Sequence, residues 1–256
     1  MQAEDRGKDQ SYFLSLVPDF EGVCFPLSSV RKSCIRRRLR DAGLGRYADK
    51  KESMGLCMVP EAGDEFAKFL DSNGAGDGDG AESGTYVNID TGEVVGSWSS
   101  SPGSCRRRSD PRYLTLGQGA RVPGAKGKMF FAGRGVEGEV LVCEGTHHPV
   151  LYADVVGCDD GFNWYGGEGV GEAYGRVRHG QPLIPCVYER RGEGSCVVKF
   201  RKAVRGCVAG QVVALYDSEG VVIGGGVIGC VGESYWERGE KVGERAKAGE
   251  NDLSVA

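Results

Sequence analysis

The stretch with the clearest chemical potential is Glu52-Ser53-Met54-Gly55-Leu56-Cys57-Met58-Val59-Pro60, where one thiol follows a small, flexible step at the end of an apolar run. Lys50 and Lys51 stand just before it. A thiolate is the form of cysteine that attacks an electrophile or carries sulfur, and nearby cations lower the pKa that sets its population. The same local pattern also describes a small buried hydrophobe. Other residues are suited to binding. Lys8-Asp9-Gln10-Ser11 is a polar patch ahead of apolar Tyr12, Phe13, Leu14 and Leu16. Arg31, Lys32, Arg36, Arg37, Arg38 and Arg40 share one face of a helical pattern, which is either solvated or turned to phosphate. Arg106-Arg107-Arg108 reads as a solvated loop tip, although it too can meet phosphate.

Composition narrows the classes. The 256 residues allow one large domain or two to three small ones. With 32 basic against 36 acidic residues there is no blanket polycation of the kind that announces nucleic acid. The distribution is uneven, since Met1 to Lys51 holds 11 Lys/Arg against 7 Asp/Glu, a net of +4, while Glu61 to Glu93 is almost wholly acidic. Ten cysteines lie singly along the chain with no CxxC pair, which argues against a secreted disulfide scaffold, a zinc ribbon or a thioredoxin-like motif, and for a reduced, intracellular compartment, and no metal-binding residues are expected. No run approaches the roughly 20 apolar residues of a membrane span. The start, Met1-Gln2-Ala3-Glu4-Asp5, has neither a signal-peptide core nor the acid-poor composition of a transit peptide.

The elements that must position these residues are short. After Phe25-Pro26-Leu27, Ser28 or Ser29 can cap a helix with apolar positions at Val30, Cys34, Ile35, Leu39 and Ala42, ended by Gly43 and Gly45. A second helix follows the cysteine loop, with Asp64 capping Phe66, Phe69 and Leu70. Asn73 to Ser83 has no side chains for a core and reads as a disordered insert. From Gly84 the period becomes that of strands. Thr85 to Asp90 and Glu93 to Trp98 form a hairpin about Thr91-Gly92. Further short runs are Tyr113 to Gln118, Lys128 to Phe131, Glu139 to Cys143, Leu183 to Tyr188, Ser195 to Phe200, Val212 to Tyr216 and Val221 to Ile228. Strands of this length between Gly-rich turns predict a small sandwich or barrel. The charged, Gly-rich end from Glu237 reads as a loose tail.

Taken in order, Gly7-Lys8-Asp9-Gln10-Ser11-Tyr12-Phe13-Leu14, Phe25-Pro26-Leu27, Lys50 to Cys57, Tyr113 to Gln118, Gln181-Pro182-Leu183-Ile184-Pro185-Cys186, Gly210-Gln211 and Gly224-Gly225-Gly226-Val227-Ile228 resemble the tRNA-specific 2-thiouridylase family. The resemblance runs over residues 7 to 230. It implies an α+β to mainly β fold in three regions. Residues 1–60 would be the end of a PP-loop ATP pyrophosphatase domain, an adenine-nucleotide hydrolase-like α/β piece without its parallel-sheet core. Residues 61–148 would be a β-rich central domain that meets tRNA, and residues 149–235 a β-barrel, with residues 236–256 a disordered tail.

The resemblance also assigns roles. Cys57 falls where the family carries its persulfide-bearing cysteine, which accepts sulfur and is later freed by a second thiol through a disulfide. Lys8, Asp9, Gln10 and Gln211 fall at tRNA contacts, and Arg178-His179 where the family has an Arg-Tyr pair that touches tRNA. Read without the family, Gln211 is a turn residue and His179 a surface histidine. The implied reaction replaces the C2 oxygen of the wobble uridine with sulfur, using ATP with Mg2+ in the complete enzyme, tRNA as substrate and a cysteine-desulfurase relay as sulfur donor. The implied compartment is mitochondrial for a eukaryotic source and cytoplasmic for a bacterial one.

Departures from the family pattern are specific. Glu52 stands for the usual Asp, His179 for tyrosine, and Gly119-Ala120 for an Arg-Lys pair. No Ser-Gly-Gly-Val-Asp-Ser loop for the phosphates of ATP is found. Only Met1 to Gly7 precede the segment before which the family keeps its first catalytic cysteine, and Cys24 and Cys34 are misplaced for that role. The expectation is a fragment, a misplaced gene start or one half of a split enzyme, which alone binds no ATP and forms no 2-thiouridine. The alternatives are a non-catalytic RNA-binding module, with Cys57 a relic, and a β-barrel assembly protein with no RNA role.

Overall fold

The computed structural model describes residues 1–50, 82–100, 111 and 114–243. Cys57, the helix expected over Asp64 to Leu70, residues 73–81 of the acidic insert, Arg106 to Arg108 and Tyr113 lie outside the described residues, while Glu82 and Ser83, expected to end that disordered insert, belong to a strand. The chain divides into two compact units, one formed by the N-terminal 50 residues together with those from Tyr152 onward, the other by the segment between.

The intervening unit is a five-stranded sheet in the order β2-β1-β5-β4-β3. Its strands are β1 (Glu82–Asn88), β2 (Val94–Ser100), β3 (Gly119–Ala120), β4 (Met129–Arg134) and β5 (Val140–Glu144). β1 and β2 make the hairpin expected about Thr91-Gly92, and Gly92 takes the positive φ of 70° that the turn demands. β1 also pairs with β5 in parallel, while β4 pairs with β5 antiparallel. Tyr86, Val140 and Val142 are fully buried at the centre, packed with Leu114, Val122, Met129 and Phe131. The run beginning at Tyr113 does not continue as a strand: residues 116–117 turn, and the Thr115 N–H donates to the side chain of Gln118.

The other unit holds β6 (Tyr152–Cys158), β7 (Asn163–Trp164), β8 (Val170–Arg176), β9 (Ile184–Arg191), β10 (Ser195–Arg205), β11 (Val212–Tyr216), β12 (Val222–Val227) and β13 (Cys230–Val231). Ladders run β6-β10-β9-β8-β11-β12. From β12 the chain passes Ile228 and Gly229 directly into β13, which pairs with β6. The bent β12–β13 strand thereby joins both ends of the sheet and closes a barrel, the architecture predicted for this region. Closure removes the unpaired edges that an open sheet would leave.

The interior follows period-two alternation, with Ile184, Cys186 and Tyr188 inward on β9 and Cys196, Val198 and Phe200 inward on β10. Sequence periodicity missed β6 and β8. β8 reads Val-Gly-Glu-Ala-Tyr-Gly-Arg, and its Gly175 is small because a Cβ there would lie 2.9 Å from the Phe200 ring. The glycines that fit the barrel disguise the strand.

Residues 1–50 carry a 3-10 turn at Arg6–Lys8 and helices α1 (Ser11–Leu14), α2 (Lys32–Asp41) and α3 (Gly45–Ala48). They hold no strand among the described residues. The cap of α2 is not Ser28 or Ser29. The carboxylate of Asp5 accepts the Lys32 N–H at 2.9 Å, so a residue far back in sequence satisfies that end. At the other terminus, residues 236–243, where a loose tail was expected, hold to β6. There Arg238 pairs with Asp154 at 3.1 Å and Val242 is buried.

Candidate nucleic-acid interface

The N-terminal segment is fixed across the outside of the barrel by close packing and a buried polar cluster. Gly224-Gly225-Gly226 on β12 makes the packing possible. A Cβ at Gly225 would fall 2.4 Å from the Cβ of Ser15, while Cβ atoms at Gly224 and Gly226 would meet the ring of Phe162 at 2.5 and 2.7 Å. Alternate positions of one strand thus admit α1's C-terminus on one face and the core phenylalanine on the other. The Ser15 carbonyl accepts from Tyr165 Oη at 3.1 Å, and the Gln2 N–H reaches the Gly220 carbonyl at 2.8 Å.

The polar cluster centres on Asp9. Its Oδ2 lies 2.7 Å from Arg176 Nη2 and 2.9 Å from Ser11 Oγ, and its Oδ1 accepts the N–H groups of Ala3 and Ser11, each at 3.1 Å. Arg176 also donates to Tyr216 Oη from both Nε (3.1 Å) and Nη2 (2.7 Å). Burial pushes the Asp9 carboxyl up, but the hydrogen bonds from Arg176, Ala3 and Ser11 together outweigh it and hold the group below the ordinary carboxylate range. Tyr12 is buried beside the cluster. Its hydroxyl lies 2.8 Å from the Val177 carbonyl and 2.9 Å from that of Val212, bridging the ends of β8 and β11. Burial raises the Tyr12 phenol, which keeps it a donor.

These contacts gather the site residues expected from sequence. Lys8 and Gln10 flank Asp9 and are exposed. Arg178 follows Val177, is half-buried, and donates from Nη2 to the Gly206 carbonyl at 3.2 Å. His179 is exposed and stacks on Phe13, with ring centroids 4.8 Å apart at 28°. Gln211 precedes Val212 and is half-buried, and its Oε1 is shielded from solvent with no hydrogen-bond partner among the described residues. Asp9 alone of the six is buried, so its carboxylate is spent inside the protein. Sequence reasoning passed over Ser11, Tyr12, Arg176 and Tyr216 as anchors. Arg176 closes β8, a strand that periodicity missed, and nothing in the local pattern marks Tyr216.

The thiols divide by environment. Cys158, Cys186, Cys196 and Cys207 are buried in the barrel, and desolvation pushes each up to about 12. Thiols so shifted carry almost no thiolate near neutrality and are inert core residues. All eight described cysteines are free.

Comparison with known proteins defines the class first. Residues 1–61 match the tRNA methyl transferase HUP domain, and residues 160–228 match the aminomethyltransferase beta-barrel domain. Over 242 residues the chain is 31% identical to the tRNA-specific 2-thiouridylase MnmA of Xanthomonas euvesicatoria, covering 89% of this chain and 58% of the relative. Identity to the Listeria monocytogenes protein of the same name is 30% over 249 residues, covering 94% and 61%. The mitochondrial tRNA-specific 2-thiouridylase 1 of Danio rerio is 28% identical over 240 residues, covering 89% and 53%. The chain belongs to the tRNA-specific 2-thiouridylase family, and it spans little more than half the length of these relatives.

Proposed function

We propose that this chain takes part in 2-thiolation of the wobble uridine of tRNA, supplying a surface that holds the tRNA and, at Cys57, the thiol that carries persulfide sulfur. The observation that supports the first part is the convergence of Lys8, Gln10, Arg178, His179 and Gln211 around one buried anchor, although they come from three separate stretches of sequence. Cations, amides and an aromatic group on a rigid support suit phosphate and base-edge contacts in RNA. Asp9, buried in its ion pair, serves by fixing Lys8 and Gln10 in place.

The family likeness supports a transferase that uses ATP. ATP with Mg2+ enters this reading as a reactant of the complete enzyme, adenylating the C2 oxygen of the uridine so that this oxygen departs as part of AMP. Residues 1–60 are the end of that nucleotide-binding part, 61–148 the central domain and 149–235 the barrel. The upstream donor is a cysteine-desulfurase relay, and the compartment is mitochondrial or cytoplasmic according to source. No described helix is long and apolar enough to cross a membrane.

The test is binding of unmodified tRNA by the full chain over a salt series. Binding that weakens steeply with salt supports the reading, because phosphate contacts release counterions. Absence of binding overturns it. If tRNA binds and Cys57 alkylates no faster than the other nine cysteines, the chain is a tRNA-binding module without the thiol chemistry.

A further inference from the structure

Phe13 is 51% exposed, an unusual place for a ring whose neighbour Tyr12 is almost fully buried. It is not loose. Tyr12 is held by its hydroxyl and meets Phe13 edge-on, with ring centroids 5.2 Å apart at 75°, and the His179 imidazole stacks on Phe13 at 4.8 Å. Tyr12 also lies 6.3 Å from His179, so the three rings form one cluster whose inner member is tied to β8 and β11. Phe13 and His179, the outer pair, both face solvent. Two independent elements, α1 and the turn after β8, supply the pair, so its geometry is set by the anchor beneath it.

We propose that Phe13 and His179 form a stacking platform for one unpaired nucleobase of the RNA substrate, which extends the Phe13–His179 stack. The proposal rests on the tRNA-binding reading above and deepens it by naming the chemical group that is recognised. Unstacked RNA bases are bound on aromatic faces, and such contacts tolerate any base because every base has a π-face. The surroundings fit an RNA strand. Lys8 and Gln10, both exposed, stand on the approach to α1.

The test uses the full chain and unmodified tRNA transcript. Phe13→Leu keeps an apolar group at an exposed position and removes the π-face, while Phe13→Trp keeps the face. The expected result is that Phe13→Leu weakens tRNA binding about tenfold with the salt slope unchanged. Phe13→Trp should bind as wild type and lose part of its added indole emission on saturation with tRNA. Wild-type affinity in Phe13→Leu, or indole emission in Phe13→Trp that tRNA leaves unchanged, overturns the platform and leaves the tRNA-binding reading standing. Failure of the wild-type chain to bind tRNA removes both.

Discussion

Asp9 and Arg176 are separated by 166 residues of chain, yet their charged atoms meet at 2.7 Å with side chains only 2% and 5% exposed. Removing two charges from water costs several kcal/mol per ion, and only good geometry with satisfied neighbours offsets it. Here Ser11, Tyr216 and the Ala3 N–H supply those neighbours. The pair's structural consequence is register: it sets which residues of the N-terminal segment face outward beside β8.

Breaking the pair from one side should be costly. Asp9→Asn or Arg176→Met is expected to destabilise the chain by about 3–5 kcal/mol, because each leaves its partner buried and unsatisfied. The double replacement Asp9→Asn with Arg176→Met should cost clearly less than the sum of the single changes. Urea denaturation of the four proteins measures this coupling, and additive effects would mean that the two charges do not act as a unit.

The same pair gives a pH dependence of definite sign. The Asp9 carboxyl is held below its ordinary value in the folded protein. Its contribution is therefore complete above the unfolded pKa of about 3.9 and is lost as pH falls through the folded value. Urea midpoints measured from pH 7 down to pH 3 should fall more steeply in wild type than in Asp9→Asn, and parallel curves would remove Asp9 from the acid limb.

Packing of α1 on the glycine triplet predicts a specific rescue. Gly225→Ala forces a Cβ into the Ser15 side chain and should cost about 1–3 kcal/mol through overpacking. It should also weaken tRNA binding, since Lys8 and Gln10 ride on the same segment. Adding Ser15→Gly should recover most of both losses in thermal melts and binding titrations. A Gly225→Ala protein that binds tRNA normally would separate the anchor from the interface.

Thiol reactivity should follow burial. At pH 7.5, iodoacetamide labelling read by peptide mass spectrometry should leave Cys158, Cys186, Cys196 and Cys207 unmodified in the native chain, because thiols pushed to about 12 are almost wholly protonated. Cys57 should label fastest. Rapid modification of any of the four barrel cysteines would contradict the packing described for the core.

The sequence made the barrel legible where its strands alternate without interruption. Ser195 to Phe200 and Val212 to Tyr216 were read directly, and Thr91-Gly92 located the hairpin. β8 escaped because Gly171 and Gly175 yield space to Tyr188 and Phe200, a requirement visible only once the strands are closed into a barrel. The cap of α2 escaped for a similar reason: local rules favour Ser28 or Ser29, whereas tertiary structure brings Asp5 to Lys32. At the site, family likeness supplied Lys8, Gln10, His179 and Gln211. It did not reveal that Asp9 is internal, since a charged residue in a polar run looks solvent-facing until Arg176 is seen across from it.

Ultraviolet crosslinking of the full chain to unmodified tRNA, followed by peptide mapping, examines the proposed interface most directly. Crosslinked nucleotides are expected on the peptides that carry Lys8 to Phe13, Arg178 to Gln181 and Gln211. Crosslinks confined to other peptides, with these three untouched at saturating tRNA, would contradict the account.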